Sequence, residues 1–296
     1  MIEVEGLTKL YRGNKGIKGI SFRVAAGEIF GFLGPNGAGK TTTIRLLMGF
    51  IKPQTGYARI NGLDCWRDTT EIKRIVGYLP GEINFIENMS AEEFLNLMAG
   101  MHGEASVLRP RYRELADRWD LNLKQPIKKM SKGMKQKVGL IYAFMLDSRV
   151  LILDEPTSGL DPLMQKVFVD LVLEEKNRGK TVFISSHIFP EVERTCDRVA
   201  IIKNGALVAV EGIQALRQAQ QRVFEIEVED AAGVRQLLDS GLEIGNCAGN
   251  RVTVRVRGDV NPLLQLLAGI RVKDFVSQTS ELEEAFMHFY DTKGEQ

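Results

Sequence analysis

Hydrophobic positions along the first two thirds of the chain fall into short unbroken runs separated by longer stretches of mixed character. Ile29–Leu33, Val150–Leu153 and Val182–Ile184 are the clearest runs, and their length and branched or aromatic content predict strands buried on both faces. Alternation of such strands with helix-like segments predicts an α/β unit built on a largely parallel sheet. Between about positions 82 and 145 the strand-like runs vanish, while Phe94, Leu95, Leu97 and Met98, then Leu115 and Trp119, recur at helical spacing, which predicts a mainly helical insertion. Val199–Ile202 and Leu207–Val210 flank Asn204-Gly205, a dipeptide suited to the left-handed backbone of a two-residue hairpin turn.

After about position 213 the texture changes to strict alternation, Phe224 to Glu229 and Val252 to Val256. With helical patterns at Ala231–Leu238 and Pro262–Leu267 and a strand at Val272–Val276, the order is βαββαβ, which predicts a small α+β ferredoxin-like domain over 214–296 behind a larger domain over 1–213. In that fold the first and third strands are neighbours, so Glu225, Glu227 and Glu229 are expected opposite Arg251, Arg255 and Arg257. A last helix, Glu281–Tyr290, is expected to carry Leu282, Phe286 and Phe289 on one face. No internal repeat is visible.

Composition narrows the choice of function. With 44% hydrophobic residues in 296, a sizeable core is available, and a formal charge of +1 supplies no field for nucleic acid or an anionic bilayer. Cys65, Cys196 and Cys247 stand far apart, which argues against a zinc site or a disulfide framework and for a reducing compartment. The amino terminus lacks the basic flank and apolar core of a secretory signal. The longest apolar run, Val138–Leu146, falls well short of the roughly 20 residues that cross a hydrocarbon core.

The chemistry enters at Gly34-Pro35-Asn36-Gly37-Ala38-Gly39-Lys40-Thr41, which fits G-x-x-x-x-G-K-[ST] and lies between a predicted strand and the helix-like stretch that begins at Thr42. Glycines let the backbone wrap a polyphosphate so that successive N–H groups and a helix N-terminus face the anion. Lys40 is expected to bridge β- and γ-phosphates and the Thr41 hydroxyl to bind Mg²⁺. Val150–Leu153 then ends in Asp154-Glu155, a Walker B arrangement in which Asp154 holds the metal and Glu155 serves as general base toward water. His187 stands at the carboxyl end of a predicted parallel strand, the edge where α/β sheets place their sites.

Ser131-Lys132-Gly133-Met134, shortly before Asp154, and Ser158-Gly159-Leu160-Asp161, directly after it, resemble the signature and D-loop of the ABC ATPase family. The order Tyr11, phosphate loop, helical insertion, signature, Walker B, D-loop and His187 resembles that family's nucleotide-binding domain throughout about positions 2–212. The resemblance implies a P-loop NTPase of the ABC type that uses ATP and Mg²⁺. It implies stacking of Tyr11 on adenine, contacts from Thr42 and the rest of the loop to nucleotide, and His187 as the switch histidine. It also implies a second copy, or a paralogous ATPase subunit, whose Ser131 and Gly133 cap the γ-phosphate and whose Asp161 reaches across the seam. A separately encoded membrane permease and a location on the cytoplasmic face of the membrane follow from the same likeness, and no nucleic acid is expected. The competing reading is a soluble ABC ATPase with no permease, acting on ribosomes or DNA.

Two departures stand out. Lys132 and Met134 replace the usual glycine and glutamine of the signature. After Tyr78-Leu79-Pro80 the family carries a glutamine that touches Mg²⁺, whereas this chain has Gly81-Glu82. Glu82 is therefore expected to take over the metal contact. Gly81-Glu82, the Ser131–Met134 variant and the Leu282-Glu-Glu-x-Phe286 ending together resemble subunits of bacterial exporters.

Overall fold

The computed structural model describes residues 1–278 apart from positions 14, 104, 220 and 258. The expected helix at Glu281–Tyr290 lies outside the described residues. Two compact units divide at Val210/Glu211, inside the last strand of the first unit, rather than after position 213.

The strands of the first unit are, in chain order, β1 (Ile2–Leu10), β2 (Gly16–Val24), β3 (Ile29–Leu33), β4 (Thr55–Ile60), β5 (Leu63–Asp64), β6 (Val76–Leu79), β7 (Val150–Asp154), β8 (Thr181–Ser186), β9 (Arg198–Lys203) and β10 (Ala206–Gly212). One sheet runs β10-β9-β3-β8-β7-β6, with parallel pairing from β9 through to β6. Every residue of β3, β7 and β8 is buried, as their unbroken apolar runs require. Asn204 and Gly205 both take positive φ, 51° and 82°, and make the predicted turn between β9 and β10.

A second sheet, ordered β2-β1-β4-β5 and antiparallel, was not foreseen from the hydrophobic pattern. Register shifts after Val4 and after Leu7 break the period-two alternation of β1, so a half-buried strand loses its sequence signal. Phe22 of this sheet packs against Phe30 and Phe32 on β3 and Phe183 on β8, with ring centroids 5.5, 5.5 and 6.0 Å away. Such aromatic contacts contribute about 0.5–1.5 kcal/mol each beyond area burial and lock the antiparallel sheet onto the parallel one.

The insertion between β6 and β7 is helical, over Ala91–Met101, Ala105–Arg118 and Lys132–Met145. Its first helix starts at Ala91, where Ser90 and Glu93 form a reciprocal capping box. Among the described residues no helix is long and apolar enough to cross a membrane.

The second unit has β11 (Gln221–Val228), β12 (Glu243–Ala248), β13 (Arg251–Arg257) and β14 (Val272–Gln278), with helices at Ala231–Leu238 and Asn261–Leu267. Its sheet runs β12-β13-β11-β14, and β11 is antiparallel to both neighbours. Phe224, Ile226 and Val228 share a core with Val252, Val254, Val256, Leu237 and Leu263.

The charge pairing corrects the expected register. Glu227 does face Arg251 and bonds it at 2.9 Å, but Glu225 faces Thr253 and Arg255 faces Val223. Arg255 reaches Glu243 on β12 at 3.7 Å, and Glu229 pairs instead with Arg271 at 3.4 Å. Exposed pairs of this kind contribute about 0.2–1 kcal/mol, too little to override the apolar face that sets the register.

Candidate active site

The phosphate loop leaves the carboxyl end of β3 and runs into the helix Lys40–Leu47. Gly39 caps that helix at φ 118°, and a Cβ there would stand 2.7 Å from Ile17 Cγ2, so both backbone and packing demand glycine. The first N–H groups of the helix have no carbonyl within it to bond and face outward, as an anion site requires. Lys40 is only 6% exposed. Its ammonium donates to the Gly34 and Pro35 carbonyls at 2.6 and 3.3 Å, and lies 3.0 Å from Glu155 Oε1 without an aligned hydrogen bond to it.

Asp154 ends β7 and is fully buried. Thr41 Oγ1 donates to its Oδ2 at 3.0 Å, and the Ser185 hydroxyl donates to its Oδ1. Burial raises the Asp154 carboxyl above the usual carboxylate range, while the Ser185 and Thr41 donors pull it back down. Glu155 follows at φ 50°, a left-handed conformation that costs a non-glycine residue about 1–3 kcal/mol. Its N–H donates to Ser185 O at 3.2 Å and to Ser185 Oγ at 3.1 Å, and its carbonyl accepts from Gln136 Nε2 at 3.2 Å. Held this way, the Glu155 carboxylate sits between the Lys40 ammonium and His187 Nδ1, the latter 2.7 Å from Oε2. Three neighbouring strands, β3, β8 and β7, thus bring Lys40, Thr41, Asp154, Glu155 and His187 to one edge.

The remaining predicted residues lie around this centre or apart from it. Tyr11 is 43% exposed in the turn between β1 and β2, closed by its N–H to Lys15 O at 2.8 Å. That turn leads into Gly16, whose carbonyl oxygen lies 3.3 Å from where a Gly39 Cβ would stand, so the phosphate loop and the Tyr11 turn are neighbours. Main chain at Gly81 runs against Asp154, with a Cβ there falling 3.2 Å from Oδ2; Glu82 is exposed in the same loop and makes no ion pair among the described residues.

Ser131 caps the helix Lys132–Met145, its Oγ accepting from Met134 N at 3.2 Å, and Asp161 caps the helix Pro162–Asn177 by accepting from Met164 N at 3.0 Å. A Cβ on Gly133 would stand 2.5 Å from the Gly159 carbonyl oxygen, so signature and D-loop backbones touch within one protomer. Among the described residues no hydrogen bond or ion pair joins Ser131 or Gly133 to the phosphate loop.

Ser185 and Gln136 escaped the sequence reading. Both are buried, but Gln136 stands between Lys135 and Lys137 and Ser185 precedes Ser186 and His187, so polar neighbours in the sequence hide their burial.

A phosphate loop, a buried Asp beside its threonine and a glutamate beside a histidine, all at the carboxyl ends of parallel strands, define an α/β nucleotide hydrolase. A sequence model of the family described as ABC transporter matches residues 17–158. An uncharacterized ABC transporter ATP-binding protein of Nostoc sp. is 43% identical over 209 residues, 69% of this chain and 62% of that protein. The bacitracin transport ATP-binding protein BcrA of Bacillus licheniformis is 36% identical over 250 residues, 82% of this chain and 80% of that one. A dimeric ATP-binding cassette solved in a post-hydrolysis state with ADP and Pi shares the fold at a TM-score of 0.65 and 22% identity, across 72% of this chain and 99% of that chain. The chain belongs to the ABC transporter ATP-binding proteins and is an ATP-hydrolysing subunit. These findings give no support to the permease-free alternative.

Proposed function

We propose that two copies of this chain close on two ATP molecules, each bound by the phosphate loop of one copy and capped by Ser131 and Gly133 of the other, and that closure drives a separate membrane permease. The observation that carries this is the meeting of Lys40, Thr41, Asp154, Glu155 and His187 at one strand edge, while among the described residues no hydrogen bond or ion pair joins Ser131 or Gly133 to those five side chains. The dimeric solved cassette of the same fold supports the arrangement.

The residues fit Mg²⁺. A threonine hydroxyl and a carboxylate oxygen stand 3.0 Å apart, both hard oxygen donors, and Gly81 leaves Asp154 Oδ2 uncrowded. When bound, Mg²⁺ neutralises charge that develops on the phosphates. Lys40 exchanges carbonyl partners for phosphate oxygens. Glu155 then accepts a proton from the attacking water at a carboxylate oxygen, with His187 steadying both that carboxylate and the γ-phosphate.

Tyr11 stacks on adenine, and Gly34 to Thr42 wrap the phosphates. Glu82 stands in for the family's glutamine at the metal. Lys132 and Met134 line the seam, and Asp161, beside its capping role, reaches the partner. The second unit, with its βαββαβ order, is a ferredoxin-like domain that strengthens self-association. The subunit works at the cytoplasmic face and powers export; likeness to a bacitracin transport subunit supports the transport role.

The test is Glu155→Gln with ATP, followed by light scattering. The arrested variant is expected to accumulate as an ATP-dependent dimer; a variant that stays monomeric at saturating ATP while binding nucleotide would defeat the proposal.

A further inference from the structure

The two residues that face each other across the hydrolytic centre, Glu155 and His187, sit on separate loops. Glu155 begins the turn after β7, and His187 is the first residue past β8. A single side chain ties both loops. Glu191 Oε1 accepts from Thr157 Oγ1 at 2.6 Å, two residues after Glu155, and Glu191 Oε2 accepts from Ser186 Oγ at 2.9 Å, next to His187.

Ser186 and Thr157 are buried, 0% and 7% exposed, and Glu191 is half-buried, so breaking either bond leaves a largely desolvated hydroxyl. Ser186 Oγ also accepts from Ile188 N at 3.0 Å and lies 3.4 Å from the Ile188 carbonyl. With one proton to give, its donation goes to the closer, charged carboxylate. Both arms of the Glu191 carboxylate are therefore committed, one to the chain just past the base and one to the chain just before the histidine.

We propose that Glu191 is a positioning residue for ATP hydrolysis, bracing the Glu155 turn and the His187 segment at the separation that leaves their side chains 2.7 Å apart. Its carboxylate bonds Thr157 and Ser186, and so acts on the hydrolytic pair through their neighbours in the chain. The brace opposes drift in a turn whose Glu155 is already in a left-handed conformation. The inference rests on the reading of Glu155 and His187 as the hydrolytic pair.

The test uses the full chain and steady-state ATP hydrolysis. Glu191→Ala lowers kcat about tenfold, since a misplacement on the order of 1 Å at reacting groups can cost up to ~100-fold. KM for ATP stays within about twofold, because Lys40 and the phosphate loop are untouched. Glu191→Gln keeps one carbonyl-type acceptor and recovers part of the rate. Ser186→Ala and Thr157→Val each cut one arm and lower kcat by less than Glu191→Ala, and Thr157→Val, whose hydroxyl bonds only Glu191, adds nothing on top of Glu191→Ala.

Unchanged kcat in Glu191→Ala, or losses that multiply in the double variant, would overturn the brace. If Glu191→Ala does not fold, the Thr157→Val and Ser186→Ala pair decides: losses in kcat that fail to multiply support the brace, and independent or absent losses refute it. Glu155→Gln and His187→Ala are run beside them. Near-normal turnover in either would refute the site reading, and the brace with it, whereas their loss beside an unaffected Glu191→Ala would refute the brace alone.

Discussion

Replacing Ser185 by alanine removes one hydroxyl that serves two parts of the centre at once. Ser185 is fully buried, donates to Asp154 Oδ1 and accepts from Glu155 N at 3.1 Å. A hydrogen bond to a charged group contributes about 1.5–3 kcal/mol, and Glu155 N keeps a second acceptor in Ser185 O at 3.2 Å, so the first bond dominates the loss. A cost of about 2 kcal/mol lowers Tm by about 4–8 °C in a domain of this size.

The sign with pH is fixed by the same bond. Burial raises the Asp154 carboxyl and Ser185 opposes the rise, so without Ser185 the pKa climbs further and the charged form becomes harder to keep. The stability gap between Ser185→Ala and the parent is full at a pH above both folded values. It narrows as pH falls and Asp154 takes up its proton in either protein. Thermal scans at neutral and acid pH measure it, together with Mg²⁺-dependent ATP hydrolysis, which should fall with the lost positioning of Asp154. A Tm within a degree of the parent at neutral pH, or a deficit that does not change with pH, would refute the reasoning.

Asp154→Asn removes a charge that burial penalises: a carboxyl raised in the folded state loses stability as pH climbs through its folded pKa, so at pH 8 the neutral variant should melt higher than the parent, and calorimetry that finds it lower refutes the assignment. The same variant should lose Mg²⁺-dependent hydrolysis. Gly133→Ala sets a helix gain of about 0.5–1 kcal/mol against a Cβ 2.5 Å from the Gly159 carbonyl, an overlap that costs about 1–3 kcal/mol; the net loss of up to about 2.5 kcal/mol should lower Tm by up to about 10 °C, and ATP-driven dimerisation should weaken. A chain ending at Gly212 should keep monomer affinity for ATP, since the first unit has its own core and site, while its dimer dissociates at lower dilution than the full chain's, as sedimentation can measure.

The parallel sheet was legible because burial on both faces leaves continuous apolar runs, and the motif residues could be placed because they follow those runs: Asp154 ends β7, His187 comes just after β8, and Lys40 begins the helix after β3. The antiparallel sheet was not, since bulges at Val4 and Leu7 scramble the alternation on which recognition of β1 depends. In the second unit Ala231–Leu238 was readable to the residue, but charge matching misled about register: apolar positions decided which residues face, and Arg255 and Glu229 found partners on other strands. Ser185, Gln136 and Glu191 were missed because hydrogen bonds among residues distant in sequence follow from topology, which spacing along the chain does not encode.

The composite site is tested most directly by the ATPase rate per chain as a function of protein concentration, with oligomeric state followed by light scattering. Rates that fall as the protein dilutes into monomers, with ATP binding retained, are predicted. A monomer that hydrolyses ATP at the undiminished rate per chain would contradict the shared site.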